Sequence, residues 1–325
     1  MKRKLYLYLQ KYHIVPTWLI DLLALFNNVF FHWDGRCHVM HPGDDDPDKT
    51  YYLIRSDSPT EGLCSLFFGK GLGEVSWAQD RGYIAYIDFT TDDCQYHVDG
   101  IVHGTDNAWE YYFEQPEAIT KDEILKKKNV LLSGWKFRKK DQRADVNYRN
   151  VETEEFKCFF KKCAVKQYVW DLVEAKKREF MPTGKSLGVL IRGTDYVALK
   201  PKGHPIQPTV NQVISKIEEF QSKYEPEHIL VVTEDKNIYK EVKRTIGEPV
   251  FTCDENWIED YKTDDYIANG FKNSGYDRGL NYLVRLLLLS ECDYLIAEIT
   301  SGSMFAIGEK REEYIDKYLF DFGTY

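Results

Sequence analysis

Three short polar constellations in the second half of the chain carry residue types suited to gripping a phosphorylated ligand. They are Arg192-Gly193-Thr194-Asp195, Thr233-Glu234-Asp235 and Thr300-Ser301-Gly302-Ser303, and each directly follows a short apolar run. An arginine offers a planar, permanently charged fork to a diphosphate, and a glycine beside it lets the backbone come close. Thr300, Ser301 and Ser303 stand where a helix begins, and hydroxyls and free amides at a helix N-terminus bind phosphate well. Glu234 and Asp235 can accept hydrogen bonds from a ribose or a base edge. Singly, each has a plainer explanation: a local ion pair between Arg192 and Asp195, or ordinary helix N-caps. Three such groups at three successive strand ends together favour a binding site.

The elements that must position them alternate cleanly. Ser186–Ile191, His228–Thr233 and Tyr294–Ile299 read as buried strands, with a weaker strand at Pro249–Cys253. Between them, Pro208–Tyr224, Lys236–Ile246 and Gly279–Ser290 read as helices, the first with Val210, Val213, Ile214, Ile217 and Phe220 on one face. A short helix follows at Ser303–Glu309. That series predicts a doubly wound parallel sheet, whose ligand crevice lies at the carboxyl ends of the strands. In the first half, Tyr51–Ser56, a helix over Gly62–Asp80 and a strand over Tyr83–Phe89 predict a second parallel α/β unit, with Val130–Trp135 as a further strand. His41–Thr50 (HPGDDDPDKT) reads as a loop. Glu152–Phe180 reads as a long helix or a helix pair, interrupted at Pro182 and Gly184, and the domain junction is placed there. The expected division is 1–165 for the N-terminal, acceptor-side domain and 166–325 for the C-terminal, nucleotide-sugar-binding one.

Residues 188–206, GVLIRGTDYVALKPKGHPI, resemble the HxRxxD-type signature of the fucosyltransferase superfamily, which includes α1,6-, bacterial α1,2- and protein O-fucosyltransferases. Arg192, Thr194, Asp195, His204, Pro205 and Ile206 match the α1,6 layout. VVTEDKNIYKEVK (231–243) resembles the family's strand, acidic pair and helix, and GLNYLVRLLLLSECDYLIAEITSGS (279–303) its Leu-rich helix, strand and donor loop. GLCSLFFGKGLGEVSWAQDRGYIAYIDF (62–89) and NAWEYYFEQP (107–116) are similar to uncharacterised bacterial polysaccharide-cluster glycosyltransferases. The resemblance implies an α/β, GT-B fold of two Rossmann-like doubly wound domains facing a cleft. It implies a metal-independent, inverting glycosyltransferase with GDP-fucose as co-substrate and no cofactor. Arg192 would bind the diphosphate, with Asp195, Asp235 and Ser301 around the donor. The chain departs from the pattern at Leu190 (a His in the motif), Gly193 (the second Arg), Lys200 (an acid) and Arg285 (an Asp). Lys200 and Lys202 are the candidates to replace the missing arginine. For the general base, Asp88 at the end of the YIAYIDF strand and Glu110 in NAWEYYFEQP rank slightly above His204, whose intrinsic pKa suits the role.

Composition narrows the partners. With 43 basic and 52 acidic residues the net charge is −9, and no sustained Lys/Arg stripe occurs, so nucleic acid is not an expected partner. The seven cysteines are scattered without a CxxC pair, which points to reduced thiols, a cytoplasmic location and no zinc site. Ile14–Trp33 is apolar but interrupted by Asp21, Asn27, Asn28 and His32, so a buried amphipathic helix is expected, with peripheral contact to the inner membrane face as the alternative. The expected acceptor is a glycan or lipid-linked glycan of a bacterial surface polysaccharide. Rival readings are another nucleotide sugar on the same frame, an inactive carbohydrate-binding or scaffold member, and a metal-dependent enzyme using Asp44-Asp45-Asp46. GKGLGE (69–74) lies inside a predicted helix without the acidic partner of a dinucleotide fingerprint, which excludes that motif.

Overall fold

The computed structural model describes residues 37–56, 61–90, 94–133, 150–193, 195–200, 202–253, 257 and 274–325, with the side chains of 37–40 and 195 outside that description. The helix expected over Ile14–Trp33 lies outside the described residues.

The chain divides into two compact units, and the division is interleaved. One takes the described residues of 37–56, 73–88 and 116–133; the other takes 61–72, 89–90, 94–115 and everything from 150 onward. A single cut at 165/166 therefore does not match this partition. The reason is packing: the 94–115 segment is built into the second unit by its aromatic residues. Tyr112 Oη donates to the carbonyl of Tyr276 at 2.8 Å, and a Cβ added at Gly279 would lie 2.3 Å from Tyr112 Oη.

The first unit is a four-stranded sheet in the order β1-β4-β2-β3. Its strands are β1 (Cys37–Met40), β2 (Tyr51–Arg55), β3 (Ile84–Asp88) and β4 (Val130–Ser133). β2 pairs parallel with both β3 and β4, while β1 runs antiparallel on β4. The strand at 37–40 was not expected from the sequence. Tyr51, Leu53, Tyr86, Ile124 and Val130 form its buried cluster. The His41–Thr50 loop is pinned from inside: Asp46 accepts from Lys127 Nζ at 2.7 Å and from Tyr51 Oη at 2.8 Å. The Lys127 and Tyr51 contacts hold its carboxyl below the ordinary carboxylate range. Asp46 is thus committed to a structural role, which removes one member of the acidic triplet from metal chemistry.

The second unit carries a fully parallel five-stranded sheet: β5 (Ser186–Leu190), β6 (His228–Val232), β7 (Val250–Phe251), β8 (Tyr294–Glu298) and β9 (Asp316–Phe320). Their spatial order is β7-β6-β5-β8-β9. This is the doubly wound order, and the chain reverses direction of winding between β5 and β8. The strands are continuous apolar runs because both faces are covered. β9 was not expected from the sequence; its Tyr318 is 38% exposed, as suits an edge strand.

Helices α7 (Val210–Tyr224), α8 (Lys236–Ile246), α9 (Gly275–Ser290) and α10 (Ser301–Glu309) flank that sheet. The preceding helices are α1 (Leu63–Leu66), α2 (Val75–Gln79), α3 (Lys121–Ile124), α4 (Glu154–Lys162), α5 (Gln167–Phe180) and α6 (Asp195–Leu199). α7 begins with a capping box between Thr209 and Gln212, and buries Val213, Ile214, Ile217 and Phe220 against the sheet. Each such side chain contributes about 1.5–3 kcal/mol by leaving water. Gly188 in mid-β5 admits α9 closely; a Cβ there would lie 2.8 Å from Leu289 Cδ2.

The helix expected over Gly62–Asp80 is present, with α1 and α2 joined through a π-helical stretch, Phe67–Glu74. Its glycines explain the widened turn. A Cβ on Gly71 would lie 2.5 Å from Cη2 of Trp109, which is 2% exposed. Trp109 cannot retreat, because Phe67, Phe89 and Phe113 pack around it with ring centroids 6.0, 5.9 and 4.7 Å away. Phe160 and Phe305 extend the cluster from α4 and α10. Gly71→Ala is therefore expected to lower stability by about 1–3 kcal/mol through overpacking. Urea denaturation measures this, and an unchanged midpoint contradicts the packing account.

Candidate functional site

At the carboxyl edge of the second unit's sheet, the winding reverses between β5 and β8, and two segments leave on either side of that point. Arg192 and Gly193 follow β5; Ile299 and Thr300 follow β8. β5 and β8 are paired, Val189 opposite Ile296, so these segments emerge side by side. Glu234 and Asp235 emerge after β6, which pairs with β5 on its other side.

Arg192 is held from two directions. Its Nε lies 3.4 Å from Glu234 Oε1, and its guanidinium sits over the ring of Tyr196 on α6, 4.9 Å from the centroid. Glu234 Oε1 also accepts the backbone N–H of Gly193 at 3.0 Å. One carboxylate thus ties the arginine and the next peptide together. Both partners are largely buried, with side-chain exposures of 18% and 9%, so water screens the pair weakly. The described ion pair of Arg192 is with Glu234; the local one with Asp195 that the sequence suggested lies outside the described residues. Gly193 is required sterically: a Cβ would lie 2.0 Å from Ile238 Cδ1 on α8. Thr194 lies outside the described residues, as does the side chain of Asp195.

Asp235 is the N-cap of α8, accepting from Asn237 N at 2.7 Å and Ile238 N at 3.4 Å. Thr300 caps α10 by accepting from Ser303 N, and Ser303 Oγ returns the bond by accepting from Thr300 N at 2.9 Å. Ser303 is fully buried and its hydroxyl also donates to the carbonyls of Glu298 and Thr300. The cap is its work. Ser301, half-buried, opens the helix, and the amides of Ser301 and Gly302 belong to the first turn, where intrahelical acceptors are lacking.

Lys200 and Lys202 are exposed in the loop after α6, Lys200 with a left-handed φ of 44°. The loop is fastened beyond them by residues 323–325. Gly203 N donates to Tyr325 O, Tyr325 N to His204 O, and Ile206 N to Gly323 O, each at 3.0 Å. His204 meets Tyr196 edge to face, centroids 5.0 Å apart. Tyr196 therefore touches both Arg192, over its ring, and His204, edge to face.

The other two candidate bases sit in different surroundings. Glu110 accepts from Thr105 Oγ1 at 2.6 Å and Gln115 Nε2 at 2.8 Å, within the second unit. Asp88, buried at the end of β3 in the first unit, lies 3.0 Å from Lys121 Nζ and 3.9 Å from Arg55 Nε. Its carboxylate is thus already engaged by two cationic side chains of the first unit.

Sequence reasoning passed over three residues around Arg192 and marked a fourth, Arg285, only as a departure from the motif. Tyr196 supplies the ring beneath Arg192. Tyr282 on α9 hydrogen-bonds Cys64, whose thiol burial pushes up to about 12, with Tyr282 and Arg192 pulling the other way. Arg285 is buried on the same helix, its Nη1 reaching the carbonyl of Thr233 at 3.5 Å. Glu298, the last residue of β8, is 0% exposed. The only signal for Glu298 was an acid closing an apolar strand, which in a parallel sheet marks the ligand edge. Among the described residues, no group of three or more His, Cys, Asp or Glu is arranged to hold a metal ion. Their six cysteines with described side chains, Cys64, Cys94, Cys158, Cys163, Cys253 and Cys292, are free. No helix among them is long and apolar enough to cross a membrane.

No protein-family model and no curated protein matches this sequence. Solved structures do. The fucosyltransferase NodZ from Bradyrhizobium aligns with a TM-score of 0.48 at 15% identity, over 79% of this chain and 92% of that one. The NodZ α-1,6-fucosyltransferase soaked with GDP-fucose gives 0.48 at 14%, over 80% and 92%. POFUT1 in complex with GDP gives 0.50 at 9% identity, over 85% of this chain and 99% of that one. At these identities the likeness concerns the fold: a mixed α/β chain with parallel sheets, of the GT-B type expected from the sequence.

Proposed function

We propose that this chain is a glycosyltransferase whose second unit holds a nucleotide-diphosphate sugar, with GDP-fucose the first candidate donor. The observation that carries the reading is the position of Arg192: a braced guanidinium at the reversal point of a doubly wound sheet, beside Gly193 and the first turn of α10. That is where such sheets bind nucleotides. The fold likeness to POFUT1 in complex with GDP supports the same reading.

In the proposed reaction a base takes the proton of an acceptor hydroxyl, and its oxygen attacks the anomeric carbon opposite the nucleotide. The bond from that carbon to the diphosphate oxygen breaks, and the configuration inverts. Negative charge accumulates on the departing diphosphate, where Arg192 and the first-turn amides of α10 can meet it without a metal ion. Glu234 keeps the guanidinium in place before the ligand arrives, so little reorganisation is needed. Lys200 and Lys202 are proposed to add positive charge from the neighbouring loop.

Of the three candidate bases, His204 is favoured by its contact with Tyr196, whose ring also touches Arg192, which keeps it near the proposed donor phosphates. The proposed acceptor is a glycan or lipid-linked glycan of a bacterial surface polysaccharide, handled in the cytoplasm or at the inner membrane face. That part rests on the sequence resemblance.

Thermal unfolding with GDP, UDP, CMP and GDP-fucose tests the donor. Saturating ligand at about a hundred times Kd adds roughly 2.7 kcal/mol. GDP and GDP-fucose are expected to stabilise the wild type and to lose that effect in Arg192→Ala. A response to UDP or CMP instead keeps the fold and changes the donor; no response to any nucleotide favours an inactive binding or scaffold protein. Once an acceptor is found, His204→Gln should lower kcat by about 10²–10⁴-fold and remove the acid limb of the pH–rate profile. An unaltered profile returns the role to Glu110 or Asp88. Replacing Lys200 and Lys202 together by Gln should raise the Kd for GDP, and unchanged binding removes them from the site.

A further inference from the structure

Glu298 is a carboxyl sealed into the protein at the edge where the donor is proposed to bind. Its residue is 0% exposed, and neither carboxylate oxygen has a hydrogen-bond partner in another residue. A charged carboxylate left so is costly, and a buried acid of this kind keeps its proton instead. Among the described residues, Arg192 after β5 favours its ionised form and Glu234 after β6 opposes it. On β9 its register partner is the uncharged Phe320, and from α10 the Ser303 hydroxyl bonds its backbone carbonyl rather than its side chain. From α9, Arg285 is spent on the Thr233 carbonyl beside β6.

Arg192 is paired with Glu234. Ionisation of Glu298 adds a negative charge beside that pair and beside any anion held there, in a largely buried place where screening is weak.

We propose that Glu298 is a positioning residue which, by holding its proton, keeps Arg192 able to bind an anionic ligand, so that loss of that proton weakens binding. This rests on the reading of Arg192 as the diphosphate-binding residue. Burial pushes the carboxyl up to about 8, with its own backbone N–H and then Arg192 opposing the rise and Glu234 adding to it. The transition therefore falls in an accessible range, and binding should weaken as pH rises through about 8.

Two measurements on wild type and Glu298→Gln separate the parts. The first needs no ligand. The unfolded chain releases this proton near the ordinary value of 4.5 while the folded protein retains it to about 8. Folded stability is thus greatest below 4.5 and declines as pH rises to about 8, then levels off. Glu298→Gln lacks this contribution, so the wild-type melting temperature should fall relative to the variant's between pH 5 and 8. Glu309, whose carboxyl burial also pushes to about 8, adds the same slope to both proteins.

The second is the Kd for GDP from pH 6.5 to 9.5. Wild-type affinity is expected to drop about tenfold across that range, as a like charge near the ligand implies. Glu298→Gln should stay near the low-pH value once the titration of GDP itself, common to both proteins, is subtracted. Parallel pH dependence in the two proteins overturns the proposal. If GDP binds neither protein at any pH, the donor reading and the coupling both fail. In that case a surviving difference in the melting curves shows that Glu298 nonetheless holds its proton.

Discussion

The second unit is arranged around one ion pair. Glu234 holds Arg192 through its charge and Gly193 through its backbone, joining the ends of two adjacent parallel strands with a single carboxylate. Everything around it serves to make that geometry unique. Gly193 must be glycine because Ile238 leaves no room for a Cβ, and Asp235 fixes the start of the helix that carries Ile238. Tyr196 closes the face of the guanidinium. Removing one partner of such a pair leaves a poorly solvated charge behind, so the cost is far greater than for a surface salt bridge.

The same edge shows what the chain does with its other polar groups. Ser303, Thr300 and Asp235 are spent on helix starts, where they satisfy backbone groups that would otherwise be buried unpaired. The groups proposed to meet a ligand are the Arg192 guanidinium, the first turn of α10 and the exposed lysines of the loop after α6. Residues 323–325 hold that loop by three backbone hydrogen bonds, which fixes His204 relative to Tyr196. Glu298 is the exception to this economy, being buried without a hydrogen-bond partner in another residue at the point where a ligand's charge would be felt.

Much of the second unit was legible in the sequence, because a parallel strand covered on both faces is written as a continuous apolar run. Ser186–Leu190, His228–Val232 and Tyr294–Glu298 are such runs, and the helices between them carry a clear apolar face. β9 was hidden: DKYLF is an edge strand with polar and exposed positions, so its pattern is weak. The strand at Cys37–Met40 is only four residues long and owes its place to its antiparallel neighbour β4. The interleaved division was not legible either. It depends on Trp109, Tyr112 and Phe113 packing with Phe67, Phe305 and α9, contacts between residues far apart in the chain. At the site, Arg192, Gly193 and Glu234 were visible as residue types at strand ends. Their pairing was not, since strand order decides which ends are neighbours. Tyr196 and Tyr282 carry no local signal of their own, Arg285 showed only as a departure from the motif and Glu298 only as an acid closing an apolar strand, and the sheet is what brings their segments together.

Hydrogen exchange with and without GDP tests the central claim most directly, because it reports where the ligand acts as well as whether it binds. The account requires slowed exchange at the amides of 192–193, 233–235 and 299–304, with the largest effect in the first turn of α10. Protection confined to other segments, or none at ligand concentrations that saturate binding, would contradict it.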